Sequence, residues 1–158
     1  MITVRLALAD EENAYVELAR AGVAESYPDQ VFSEEATRAT YRRYLETAHP
    51  TIFFAVDGER VIGAIQATIS AYDFADGIFT TLCGTFVHPD KRGTRAAALL
   101  LSEFTRWSDQ LGAVESTGGN DNNLTTERTT RLLGHFGFEP VGTFVRRKHG
   151  ATNGTKRR

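Results

Sequence analysis

The residues best suited to chemistry lie in one run, FVHPDKRGTRAAALLL, at positions 86–101. A strand-like pattern ends at Val87, a turn rich in Pro, Asp, Arg and Gly follows, and a helical pattern begins at Ala96. The first amides of a helix have no partner inside it, and the helix dipole adds partial positive charge there, so such a turn binds anions. Gly93 lets the backbone approach a ligand closely and adopt dihedrals closed to other residues. Arg92 and Arg95 add charge-assisted donors matched to phosphate oxygens. Ala96, Ala97 and Ala98 leave the first turn clear for a bulky ligand. Two arginines alone would be solvated charges at an ordinary strand–helix junction. The whole constellation makes residues 92–97 a cradle for phosphate or pyrophosphate. It is not a P-loop, which needs a Gly-Lys-Ser/Thr ending, and its glycine spacing is not that of a dinucleotide fingerprint.

The stretch HPDKRGTRAA resembles the acetyl-CoA-binding motif of the GNAT acetyltransferases, whose pattern is Arg or Gln, two residues, Gly, one residue, then Gly or Ala. Val87-His88-Pro89 supplies the turn before it, Arg92 the first position and Ala97 the last. DGERVIGAI is similar to the family's hairpin of strands two and three, and GHFGFEPVG to its Gly-Phe signature before the final strand. The resemblance covers nearly the whole chain. It implies a single-domain α/β fold, with a mixed, mostly antiparallel central sheet of about six strands flanked by about four helices. It also implies acetyl-CoA as co-substrate, and no metal. The pantetheine arm would pair near Phe86 and Val87. The pyrophosphate would sit on Arg92, Gly93, Thr94, Arg95, Ala96 and Ala97. Asn120 or Asn122, in the GGNDNN loop, would contact the arm or the acetyl end. The chain departs from the pattern twice. Arg95 stands where the family has its central glycine, and Leu133 stands where many members carry a proton-donating Tyr.

Acetyl transfer to an amine needs a neutral nucleophile, a polarised carbonyl and a proton for the departing sulfur. Glu115 and Asp76 are the candidate bases, acting directly or through water, with Asp73 and His88 behind them. Cys83, in mid-strand, reads as a small buried residue rather than a nucleophile, since no base is reliably placed beside it. Tyr27, Phe32, Tyr72 and Asp73 mix aromatic faces with a carboxylate and suit a cationic acceptor.

These residues must be carried by alternating elements. Val4, Leu6 and Leu8 alternate as a first strand, and apolar residues at helical spacing give helices running to about Glu25 and from a Ser33 cap toward His49-Pro50. TIFFAV, Asp57-Gly58 and VIGAIQATI form a hairpin pattern. IFTTLCGTFV is a further strand, and Leu100, Phe104, Trp107 and Leu111 stripe the longest helix. A short strand over residues 113–117, a helix over 127–135 and a last strand over 141–147 complete the order. Grouped strands with intercalated helices argue for one α/β domain with a mixed sheet. The domain is expected over residues 1–148, with a basic tail at 149–158.

The 158 residues, 41% apolar and 24% charged, suit one globular core. A formal charge of −2 gives no field for nucleic acid or anionic membrane, although residues 146–148 and 156–158 are locally basic. One cysteine leaves no internal disulfide and no thiolate-rich metal site. No secretory signal or membrane-spanning run is recognisable, so cytoplasmic residence is expected. The expected function is transfer of an acetyl group from acetyl-CoA to a primary amine by direct attack in a ternary complex. The alternative is an acetyl-CoA-binding module with little turnover. The expected partner is a small-molecule amine or a protein amine, with a homodimer left open.

Overall fold

A computed structural model describes residues 1–47, 49, 51–119, 124 and 126–149. Strand β1 (Ile2–Leu6) leads through a 3-10 turn into helices α1 (Glu12–Ser26) and α2 (Glu34–Leu45). Ser33 caps α2 as its sequence position suggests, its hydroxyl accepting from the Ala36 amide at 3.2 Å. Strands β2 (Ile52–Asp57) and β3 (Arg60–Ala71) form the hairpin at Asp57-Gly58, with Gly58 at φ +63°. Then come β4 (Ile78–Val87), α3 (Ala96–Gln110), β5 (Glu115–Gly118) and α4 (Thr126–Gly134).

The sheet order is β1-β2-β3-β4-β5. The first three pairings are antiparallel, and β4 with β5 is parallel, joined by the α3 crossover. Period-two alternation sorts β2 between two layers. Ile52, Phe54 and Val56 pack with Tyr15, Leu18 and Tyr41 of α1 and α2. Phe53 and Ala55 pack with Leu100, Leu101 and Phe104 of α3 and Leu133 of α4. The mixed, mostly antiparallel α/β sheet expected from the sequence is therefore present, with five strands rather than about six.

The missing strand is the one expected at residues 141–147. Its Val141, Phe144 and Val145 are 96%, 71% and 83% exposed, and it joins no ladder among the described residues. β propensity reports how well a side chain fits a pleated, half-buried surface, and this segment has no such surface to lie on. Instead Lys148 is fixed to Asp29 at 2.9 Å, and Arg146 lies over the Tyr27 ring at 5.9 Å.

Where β1 turns into α1, Arg5 donates to Glu11 (Nη1 to Oε2, 2.8 Å), and the Leu8 amide donates to the same carboxylate at 2.9 Å. The bond from Arg5, helped by that amide, holds the Glu11 carboxyl below its ordinary value of 4.5 against the opposing effect of burial. A depressed carboxyl stabilises the fold above its unfolded pKa, and that stabilisation is lost as pH falls through the folded value. Glu11→Gln is expected to lower the unfolding free energy by about 1 kcal/mol at neutral pH. In urea unfolding across pH, the gap from the native protein should close below about 4.5. A gap that persists in acid would show that the ion pair is not its source.

Candidate active site

The strand, turn and helix expected around residues 86–101 are present. A 3-10 turn (Pro89–Lys91) follows β4, Gly93 takes φ +83°, and α3 starts at Ala96 with Arg95 at the cap position. That φ is in the left-handed region, which a side-chain-bearing residue rarely adopts, and the space around Gly93 is open. The turn is fixed from inside. Thr94 Oγ1 donates to the Lys91 carbonyl at 2.7 Å and accepts from the Ala96 amide at 3.3 Å. The amides of Gly93, Arg95, Ala97 and Ala98 have no hydrogen-bond partner among the described residues. Free backbone donors at an open turn before a helix are what an anion requires.

The cations nearby are mostly neutralised. Lys91 is bound to Asp57 at 2.9 Å, and Arg60 and His88 both reach Asp90, at 2.8 and 2.6 Å. Arg92 grips Glu25 with two bonds, one of 2.6 Å from Nη1 to Oε1 and one from Nη2 to Oε2, and its guanidinium lies 5.9 Å from the Phe86 ring centre. Arg92 holds the Glu25 carboxyl below its ordinary value, and Lys91 does the same for Asp57. Arg95 is exposed and has no carboxylate partner among the described residues. Glu25 was missed as a cradle residue in the sequence, because 67 positions separate it from Arg92.

The cleft beside the cradle comes from two irregularities in β4. Gln66 pairs with Gly84 and Ala67 with Leu82, so Cys83 is an extra residue, a β-bulge. It inverts the alternation: Leu82 faces the α3 layer, whereas Phe86 faces α1 and α2. The ladder to β5 also stops at Leu82 opposite Gly118. Residues 84–87 therefore pair with β3 alone among the described residues, leaving one backbone edge free of any described strand. Gly118 makes the last contact possible, since a Cβ there would lie 2.9 Å from Leu82 Cβ. Below it, Thr80 joins Ser108 of α3 at 2.8 Å and Ser116 of β5 at 2.7 Å, a hydroxyl network that sets where the strands part.

Of the residues expected to bind the coenzyme, Phe86, Val87, Arg92, Gly93, Thr94, Arg95, Ala96 and Ala97 are brought together by β4, the turn and α3. Asn122 lies outside the described residues. Glu115 opens β5 beside Phe79 and is exposed, and burial, with the Glu115 charge behind it, raises the pKa of the Tyr72 phenol. Four residues of strand, about 13 Å, separate Phe79 from Cys83. Asp76 and Asp73 are exposed in the loop before β4. Tyr72 stacks with Phe79 at 5.0 Å and with the exposed Phe74 at 5.7 Å, which forms an aromatic patch at that end. Tyr27 and Phe32 lie elsewhere, Tyr27 beneath Arg146 and Phe32 beneath Arg20 at 4.6 Å. Cys83 is exposed, not buried as a lone strand cysteine would suggest, because the bulge turns it out of the core. Its Sγ meets only Thr68 Oγ1 at 3.5 Å and the Thr81 carbonyl at 3.7 Å among the described residues, and neither is a base. Leu133 is 7% exposed in the α3 layer, a core anchor. A phenol linked to this part of the sheet is Tyr15, unremarked in the sequence. It donates to Gln66, the ladder partner of Gly84, at 3.1 Å, and burial pushes its pKa to about 12.

The family model for the acetyltransferase (GNAT) family matches residues 12–138. The chain belongs to that family of acyltransferases. No curated protein matches it. Solved structures share its fold. A transcriptional regulator from Bacillus halodurans has 15% identity and a TM-score of 0.78, covering 94% of this chain and 99% of its own. Aminoglycoside N-acetyltransferase AAC(6')-Iy in complex with CoA has 20% identity and a TM-score of 0.75, covering 95% and 96%. Ribosomal-protein-alanine N-acetyltransferase from Brucella melitensis has 10% identity and a TM-score of 0.72, covering 94% and 99%.

If Gly118 fixes the point of parting, Gly118→Ala must push β5 from Leu82, at a cost of about 1–3 kcal/mol. Gly119→Ala, which meets nothing within 4 Å, should be near neutral. Thermal unfolding of the two variants checks this, and equal midpoints would refute the role given to Gly118.

Proposed function

We propose that the chain transfers an acetyl group from acetyl-CoA to a primary amine, by direct attack in a ternary complex. The observation that carries this reading is the set of amides at Gly93, Arg95, Ala97 and Ala98 that have no partner among the described residues, with the Arg95 side chain, which meets no carboxylate among those residues, beside them. They fit a pyrophosphate in charge and in donor number. The open edge at residues 84–87 offers strand-like pairing to the coenzyme's amide-bearing arm. Acetyl-CoA would supply the activated acyl group. The chain would supply position, and holding reactants together accounts for a large part of such a rate.

No phenol stands at position 133, and Tyr15, with a pKa of about 12, stays protonated and bonded to Gln66. Glu115 and Asp76 remain our candidates for accepting the amine's proton, and because Glu115 pairs level with Phe79 and Asp76 precedes β4, we route the transfer through water. The aromatic patch of Tyr72, Phe74 and Phe79, with Asp73 and Glu115 near it, suits a cation. Tyr72 and Asp73 are therefore our acceptor residues. Tyr27 and Phe32 fit less well, since arginines already cover them. Among the structural neighbours are acetyltransferases of aminoglycosides and of a ribosomal protein's alanine, so the acceptor class spans small-molecule and protein amines. We place the protein in the cytoplasm, as one domain over residues 1–148 with a basic tail. No helix among the described residues is long and apolar enough to cross a membrane.

Gly93→Asp sets a carboxylate in the cradle at a φ that Asp tolerates better than most residues. It is expected to weaken acetyl-CoA binding at least tenfold in calorimetry while lowering the melting temperature only slightly. Unchanged affinity would remove the cradle assignment. Release of CoA from the native protein over a panel of amines tests turnover. Tight acetyl-CoA binding with no release on any amine would favour the binding module.

A further inference from the structure

Arg92 belongs to the cradle by position, yet its guanidinium is already engaged. Both of its terminal nitrogens donate to Glu25, so the carboxylate occupies the paired donors that a phosphate would use. The contact is built by the fold and is not a chance meeting of long side chains. Helix α1 rests on Phe86 through Gly22, where an added Cβ would come within 3.1 Å of the ring. Glu25 lies three residues on, on the same side of the helix, and so projects over the turn that carries Arg92. Phe86 lies under the guanidinium, and its orientation follows from the bulge at Cys83. Three separate features thus bring one carboxylate to one cradle arginine.

Resting on the coenzyme reading above, we propose that Glu25 is an internal competitor for the cradle, a carboxylate that occupies Arg92 in the free protein and is displaced when a pyrophosphate-bearing ligand binds. The exchange is balanced in kind, one anionic partner of Arg92 replacing another. It therefore subtracts from ligand affinity what the Glu25 pair was worth. It also detaches the end of α1 from the turn, at the side of the cleft where the loop between α1 and α2 begins. Glu25 so raises the affinity an anion must have to occupy the site, and it links occupancy to the freedom of that helix end.

The test is a binding cycle with CoA as the probe, read by calorimetry on the full chain in about 0.3 M salt to screen through-space repulsion. Glu25→Gln keeps the shape and removes the competing charge. It is expected to bind CoA about twofold to fivefold more tightly than the native protein, the range an exposed ion pair supports. In an Arg92→Ala background the same substitution should give a smaller gain or none. Glu25→Asp, shorter but still charged, should fall between the native protein and Glu25→Gln, and circular dichroism confirms that each variant is folded. Unchanged or weaker binding by Glu25→Gln overturns the proposal. Equal gains with and without Arg92 also overturn it, since they would mark a general charge effect. Failure of the native protein and every variant to bind CoA defeats the coenzyme reading instead, and this proposal with it.

Discussion

One unpaired residue in β4 decides how the functional half of the molecule is assembled. Cys83 is the extra residue of a bulge, and alternation beyond it is inverted. Without it, Phe86 would face the α3 layer with Leu82. Instead it faces α1, where Gly22 makes room for its ring. That contact sets the height of α1 above the sheet, and with it the reach of Glu25 to Arg92. The bulge also turns the Cys83 thiol outward and places Gly84, with no side chain, opposite Gln66 and Tyr15. A backbone irregularity of one residue thus positions a helix, an ion pair and the floor of the cleft.

The parting of β4 and β5 needs its own support, because parallel strands joined through a helix have no tight turn to fix their register. The support is polar. Thr80, Ser108 and Ser116 link β4, α3 and β5 by hydroxyl bonds inside the core. Apolar packing alone would tolerate sliding, whereas a satisfied buried network admits one register. Gly118 then permits closest approach at the last rung, and the strands separate beyond it. The cleft is therefore a place where pairing stops in a controlled way, and its free backbone edge is a consequence of the fold.

What could be read from the sequence was what depends on neighbours in the chain. The cradle turn, the Asp57-Gly58 hairpin, the Ser33 cap and the α3 stripe are local patterns, and each stands as expected. Residues 141–147 carried a strand's composition and form no ladder among the described residues, because pairing depends on a partner the segment does not find there. The bulge was invisible in IFTTLCGTFV, since period two reads equally well with or without one inserted residue. Glu25 read as the end of the first helix. Its role at the cradle arises from the docking angle of α1, a tertiary quantity.

The charges around the turn bear on how the proposed cradle would hold its ligand. Lys91 and Arg92 have carboxylate partners, so two of the three lysine and arginine charges in the run from His88 to Arg95 are cancelled locally, and the nearby Arg60 is held by Asp90. A site relying on side-chain cations would leave them unpaired, and its affinity would collapse in salt. Here the donors without a partner among the described residues are backbone amides and the guanidinium of Arg95. Amides fixed by a turn need no reorganisation to meet an anion, and their dipoles point the same way whether the site is full or empty. Replacing the family's central glycine by Arg95 costs nothing at that backbone position, where φ is −75° and any residue fits. It adds a single mobile charge to a rigid set of dipoles. The geometry thus favours a ligand whose shape matches the turn over one that is merely negative, and the carboxylate of Glu25 on Arg92 sharpens that preference.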